Sequence, residues 1–455
     1  MLNSILHALQ RIKADVAAHL QPAWIERACR QLGYRWRERT LGPVVTLHAF
    51  LMQVLNGNTA CDHVPHLMGK RFTGEAYAQA RARLPLALFE RLLVAVCRSV
   101  KSYRDEAERW CGRRIWLLDG SGCSMPDTPE LQQAFGQPGN QQRGCGFPVA
   151  HLLTLFHAGT GLLQQVIASP LRTHDLKHVR RMHRELEPGD VLVADRGFCS
   201  FAHLAQLVRA GLDGVLRIHP RTIVNFRPGR THVPPGPRYR RLRWPRGLPR
   251  SRWVRWCGHW DQVVEWYKPR RVPKWMDAAA YAALPESLLV REVRFDICQP
   301  GFRTQQVTLA TTLLDAELFP AEELAQLYFE RWRVEVHLRH LKQTLHLDVL
   351  RCKTEVGVRK EIYMLAIVYN LVRLVMLEAA RRQGVEPDRI SFVDALRWLN
   401  HARPGQPLRP LIVHPIRHRA EPRVRKRRPK PYSLMTRPRE ELRQAMMGQY
   451  LKALS

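Results

Sequence analysis

Two short apolar runs, each stopped by an aspartate, constrain the fold of this chain more than any other feature. RRIWLLDGSG (113–122) and GDVLVADRGF (189–198) each hold four consecutive apolar residues closed by turn-forming Asp and Gly. Runs of that length are strands rather than helices, and they deliver a carboxylate, Asp119 or Asp195, at the strand's end. Between them, AHLLTLFHAGTGLLQQVIAS (150–169) reads as a hairpin turning at 158–161, giving a set of four strands. Helices are expected around 174–187 and 200–211. LVREVRFDI (289–297) and TQQVTLATTL (304–313) are two further strands.

Helical periodicity covers the rest. Residues 1–105 carry apolar residues at spacings of three and four, as in Leu2, Ile5, Leu6 and Leu9. The N-terminal segment is an amphipathic helix interrupted by Lys13 and Asp15, not a signal peptide. A helix starts near Pro320, with Glu322 and Glu323 in its first turn. Another spans about 359–382 and ends at Gly384. Its apolar stretch 362–380 contains Asn370 and Arg373, so it is a buried core helix and not a membrane span. A chain of 455 residues exceeds one ordinary core, and two or three domains are expected.

The charge names the partner class. Seventy-two Lys and Arg against forty Asp and Glu leave +32, the footprint of a polyanion-binding protein. An Arg-rich codon bias would give a similar excess. The ten cysteines contain no CxxC pair, which argues against a zinc or disulfide framework and suits a reducing cytoplasm. Residues 214–275 hold sixteen Lys and Arg, two acids, nine prolines and six tryptophans, a composition of short strands and loops. The run 417–430 is a basic, proline-containing arm. A helix-turn-helix is suggested at 61–84, with Thr73 capping its second helix and Arg81 and Arg83 upon it.

The stretch YFERWRVEVHLRHLKQTL (328–345) places Tyr328, Arg331, Glu335 and Lys342 at offsets of three, four and seven. At about 100° per residue these fall within an arc of roughly 60° on one helical face. A solvated charged face would not need the tyrosine. Asp119, Asp195 and Glu335 together are hard oxygen donors of the kind that gather divalent cations. Two such ions can activate a water or 3′-hydroxyl against a phosphodiester. Asp127 and Asp190 are rivals to the first two, but neither closes a clear strand.

The strip, with LLDGSGCSMPDTPE (117–130) around the first Asp and VLVADRGF (191–198) around the second, resembles the DDE transposases of bacterial insertion sequences. The branch is insertion sequence family four, with its Tyr-Arg-Glu-Lys signature, and the likeness covers roughly 40–440. RVRKRRPKPYSLMTRPR (423–439) is similar to a C-terminal segment of that family. The resemblance implies an α/β fold, a ribonuclease-H-like catalytic core interrupted by a mainly β insertion domain. It further implies a helical N-terminal domain and a basic C-terminal region. The boundaries expected are 1–105 for the N-terminal DNA-binding domain, 106–213 with 314–400 for the core, 214–313 for the insertion, and 401–455 for the C-terminal region. The 139 residues between Asp195 and Glu335 leave room for the insertion.

By the same resemblance, Asp119, Asp195 and Glu335 are the catalytic residues and hold two Mg²⁺, for which Mn²⁺ can substitute. Tyr328, Arg331 and Lys342 contact DNA phosphates, and an insertion-domain tryptophan receives a flipped base. Trp253, Trp256, Trp260, Trp266 and Trp275 are the candidates, and the sequence selects none of them. The implied protein is a cytoplasmic, nucleoid-associated bacterial enzyme that works as a homodimer on double-stranded DNA. It binds the terminal inverted repeats of its own element, cuts by hydrolysis and hairpin formation, and joins the ends to target DNA. The helix expected at 437–454 is a candidate dimer contact. A catalytically silent DNA-binding descendant and a metal-dependent nuclease without strand transfer are the alternatives.

Overall fold

The computed structural model describes residues 2–106, 109–233, 247–297, 306–415, 435 and 437–454. The basic arm at 417–430 and Trp244 lie outside these. The fold is mixed α/β, organised on one nine-stranded sheet of order β3-β2-β1-β4-β5-β9-β8-β7-β6. The strands are β1 (Ile115–Ser124), β2 (Val149–His157), β3 (Leu163–Pro170), β4 (Val191–Ala194), β5 (Asp213–Arg217), β6 (Arg252–Gly258), β7 (Asp261–Tyr267), β8 (Ser287–Asp296) and β9 (Gln306–Thr311).

The two apolar runs lie side by side at its centre. β1 pairs parallel with β4, and β4 parallel with β5, while all other pairings are antiparallel. Central parallel strands are covered on both faces, which is why 115–118 and 191–194 are continuously apolar and all buried. Alternate residues serve two cores. Ile115, Leu117, Val191 and Val193 face the large core formed with the helices, and Trp116, Leu118, Leu192 and Ala194 face a smaller one.

The hairpin forms as expected from 149 to 170, and its turn contains Gly161 at φ +64°. A Cβ there would run into the buried Arg373 guanidinium, so glycine is required on two counts. The helix expected over 174–187 is shorter than the periodicity suggests, a 3₁₀ turn at Asp175–Lys177 followed by Val179–His183. The composition shift at 214 does not interrupt the sheet. β5 spans that position, and β9 joins it to β8, so the strands of 252–311 extend the same sheet.

Helix Glu355–Gln383 runs through the large core and ends at Gly384, φ +63°. It is long and apolar enough to cross a membrane, but 94% of its apolar window is buried inside the protein. Its polar residues are satisfied there. Asn370 bonds both the N–H and the carbonyl of Leu163, and Arg373 donates to the Thr160 carbonyl and to Asp388.

In the outer half of the sheet, Arg291 on β8 is buried against Asp261 on β7. Its Nε and Nη2 reach the two carboxylate oxygens at 2.8 and 2.5 Å, and its Nη1 bonds the Phe319 carbonyl at 2.6 Å. Removing one partner strands a buried charge. Asp261→Ala is therefore expected to cost about 3–5 kcal/mol, read as a fall in urea midpoint at unchanged slope. A loss below about 1 kcal/mol, the range of surface pairs, would show that this pair is solvated.

Candidate active site

Asp119 and Asp195 stand next to each other because of strand register. The last parallel pair is Leu118 opposite Ala194, and each aspartate is the next residue of its strand path. Alternation turns Asp119 with Leu117 toward the helical face of the sheet. Asp119 is further fixed by its neighbours, since the Gly120 N–H donates to its Oδ1 at 2.8 Å and Thr154 Oγ donates to its carbonyl at 3.0 Å. Gly120 faces the opposite side. A Cβ there would come 3.0 Å from both Asp175 Oδ1 and His151 Cε1, two residues hydrogen-bonded to each other beneath the strand.

The strip 328–342 lies over these carboxylates. Its backbone is less regular than a single helix: Ala321–Glu330 and Trp332–Arg339 meet at Arg331, and a π-type turn covers His340–Thr344. Such turns recur at functional sites because they re-aim a side chain. Lys342 sits in this one, and its Nζ donates to Ser121 Oγ at 3.3 Å. Tyr328 Oη donates to Asp195 Oδ1 at 3.3 Å. Arg331 is the centre of the group, with Nη1 3.9 Å from Asp119 and Nη2 4.0 Å from Glu335. Its guanidinium lies over the rings of Tyr328 and Trp332, at 5.5 and 5.2 Å. Tyr328 and Arg331 are buried, whereas the Glu335 side chain is 53% exposed.

The electrostatics match a set of carboxylates held close. Burial pushes Asp119 up to about 6, Asp195 and Glu335 add to the rise, and Arg331 and the Gly120 N–H oppose it. Burial raises Tyr328 to about 12, with Asp195 adding and Arg331 opposing, so the phenol stays protonated and able to donate. Burial works against the charge on Arg331, but Tyr328, Asp195 and Asp119 outweigh it and hold the cation firmly. Among the described residues, no three His, Cys, Asp or Glu side chains stand close enough to enclose an ion unaided. Arg331 spans the gap between Asp119 and the exposed Glu335. The donor set itself is all carboxylate oxygen, the chemistry that hard divalent cations take.

Other sequence candidates find different places. Asp190 is buried, bonding Arg114 Nε and Trp116 Nε1 at 2.8 Å each. Asp127 bonds Gln132 and pairs with Arg439. Thr73 caps its helix as expected, accepting from the Ala76 N–H, but Arg81 is not a surface cation. It is buried, donating to Gln53 and Cys352. Of the tryptophans, Trp256 is 59% exposed. Trp266 donates to Glu292, Trp275 packs on the smaller core, Trp260 stacks on His259, and Trp253 buries an unpartnered Nε1. Ser121 escaped the sequence reading. Its signal was present, since it lies two residues beyond Asp119 on the same strand face.

The sequence profile described as the transposase DDE domain matches residues 110–371. The transposase InsG of insertion sequence element IS4 from Escherichia coli K12 is 24% identical over 344 residues, covering 71% of this chain and 70% of its own. The putative transposase InsL of insertion sequence element IS186A, from the same strain, is 26% identical over 260 residues, 53% of this chain and 60% of its own. Among solved structures, the piggyBac transposase synaptic complex with hairpin DNA aligns over 88% of this chain and 77% of its own, at 10% identity and a TM-score of 0.41. With the profile spanning more than half of its length and both carboxylate-bearing strands within the match, the chain belongs to the DDE transposases of insertion sequences.

Proposed function

We propose that this protein is a cut-and-paste transposase in which Asp119, Asp195 and Glu335 are the catalytic carboxylates. It binds the terminal inverted repeats of its own element, cleaves one strand, forms and reopens a DNA hairpin, and joins the freed end to target DNA. The observation that carries this reading is the register that sets Asp119 beside Asp195 under the helix bearing Glu335. The three carboxylates would hold two Mg²⁺, or Mn²⁺, which when bound activate the attacking oxygen and stabilise the leaving one.

The chain's own groups orient the substrate. Arg331 and Lys342 offer charge-assisted donors to the phosphates flanking the scissile bond, and protonated Tyr328 donates a hydrogen bond. Arg331, which here spans Asp119 and Glu335, would turn its fork to the phosphate were the carboxylates to hold an ion. Trp256, the exposed one, is the assigned acceptor for a flipped base, by stacking. The sheet strands β1–β5 with helices 321–339 and 355–383 form a ribonuclease-H-like core, and β6–β9, within 214–313, an insertion upon it. The N-terminal helices read the element's ends. A homodimer pairs those ends, with Met446 and Met447, exposed on helix Arg439–Leu454, as its contact.

The test incubates the protein with a plasmid carrying this gene's native flanking DNA, a target plasmid and Mg²⁺. Excised fragments with hairpin ends and joined products support the proposal. Cuts without joining would make the protein a nuclease, and binding without cutting a silent DNA-binding descendant. If it contacts about 6–10 phosphates, its affinity for the ends falls about 10³–10⁵-fold between roughly 50 and 200 mM salt. A flat response in a filter-binding titration would rule out so extensive a phosphate contact.

A further inference from the structure

On the sheet face away from the carboxylates, a hollow of about 330 Å³ opens between helices Val179–His183, Phe201–Arg209 and Ala278–Ala282. It lies at the other end of β4 from Asp195, where Gly211 at the close of the second helix bonds Gly189. Arg180, Arg184, Arg209, His183 and Gln206 form its polar wall, and no carboxylate lines it.

The acids nearby are already committed. Asp213 pairs with Arg113, Glu187 and Asp190 pair with Arg114, and Glu185 accepts from Gln164. Among the described residues this leaves Arg180, Arg184 and Arg209 without an ion pair, three like charges around one space. Such an arrangement concentrates positive potential over the hollow, which favours an anion there. The floor is rigid and uncharged. His183 stacks on His203 with planes 2° apart and Nε2 atoms 3.1 Å apart, and His203 Nδ1 donates to the Phe198 carbonyl. Burial, His203 and the Arg180 charge push His183 down to about 3, so it stays neutral.

We propose that this hollow binds a phosphate group. A guanidinium presents two N–H donors in a fork, and three forks need an anion with more than the two oxygens of a carboxylate. Phosphate supplies them, either as a phosphodiester of duplex DNA lying over this face or as a free phosphate compound. The site is separate from the carboxylate cluster and stands whether or not the cleavage assignment holds.

The test uses the full-length protein and inorganic pyrophosphate, by calorimetry at about physiological salt, where exposed charges are screened. Arg180→Gln, Arg184→Gln and Arg209→Gln should each weaken binding about tenfold or more, and the triple variant should lose it. All three side chains are exposed, so melting in phosphate-free buffer should match the wild type and exclude misfolding. Duplex DNA distinguishes the sources. If saturating duplex displaces pyrophosphate and the triple variant binds duplex more weakly, the site holds a backbone phosphate. If pyrophosphate binds the DNA-saturated protein as well as the free one, it holds a free phosphate. A triple variant equal to the wild type toward both pyrophosphate and duplex overturns the proposal.

Discussion

Asp119→Asn, Asp195→Asn and Glu335→Gln should each lower strand cleavage at the element's ends by at least about 10³-fold, about 4 kcal/mol on the barrier. Each change is nearly isosteric and removes one anionic oxygen donor while leaving the strand or helix that carries it. Asp119 adds a second readout. Its carboxyl sits well above its ordinary range because burial and the neighbouring carboxylates disfavour its charge. A neutral asparagine relieves that repulsion, so Asp119→Asn should melt at or above the wild-type temperature while cleavage is lost. End binding, carried by the cations, should persist in all three. Cleavage surviving any one substitution would show that this carboxylate is not part of the catalytic set.

Acid should unfold the protein well before its carboxylates are all protonated. His183 and His337 are pushed down to about 3 and His203 and His340 to about 4, burial being the main cause for each. His48, bonded to the Leu20 carbonyl, is lowered as well. A histidine with a depressed folded pKa is neutral in the native state and takes up a proton on unfolding. Its contribution is fully present above about pH 6.5 and is lost as pH falls toward the folded values. Several such groups acting together should remove at least several kcal/mol between about pH 6.5 and 4, a large part of the stability of an ordinary domain. The check is the urea midpoint against pH. A midpoint flat down to pH 4.5 would mean that these imidazoles are charged in the native state.

The elements most legible in the sequence were those whose burial is two-sided. The runs at 115–118 and 191–194 are apolar without interruption because β1 and β4 are central and covered on both faces, and that same centrality sets Asp119 beside Asp195. The long helix was legible as core because Asn370 and Arg373 could not face lipid, and they prove to bind the hairpin behind it. What was not legible depends on tertiary partners. Arg81 reads as a surface cation by helical position, yet Gln53 and Cys352 bury it. The strip at 328–342 has the spacing of one helix, but the backbone breaks at Arg331 and turns in π fashion at Lys342, the residues that contact Asp119, Glu335 and Ser121. The composition change at 214 falls inside β5, which pairs with β4 and β9 and so continues the sheet.

The most direct test of the account is Mn²⁺ binding to the protein on end DNA, followed by calorimetry and by electron paramagnetic resonance. The account predicts two ions per chain in the wild type, with each of Asp119→Asn, Asp195→Asn and Glu335→Gln weakening or removing at least one. Uptake that is unchanged by all three substitutions would contradict it, and would place the metal, and with it the chemistry, elsewhere in the chain.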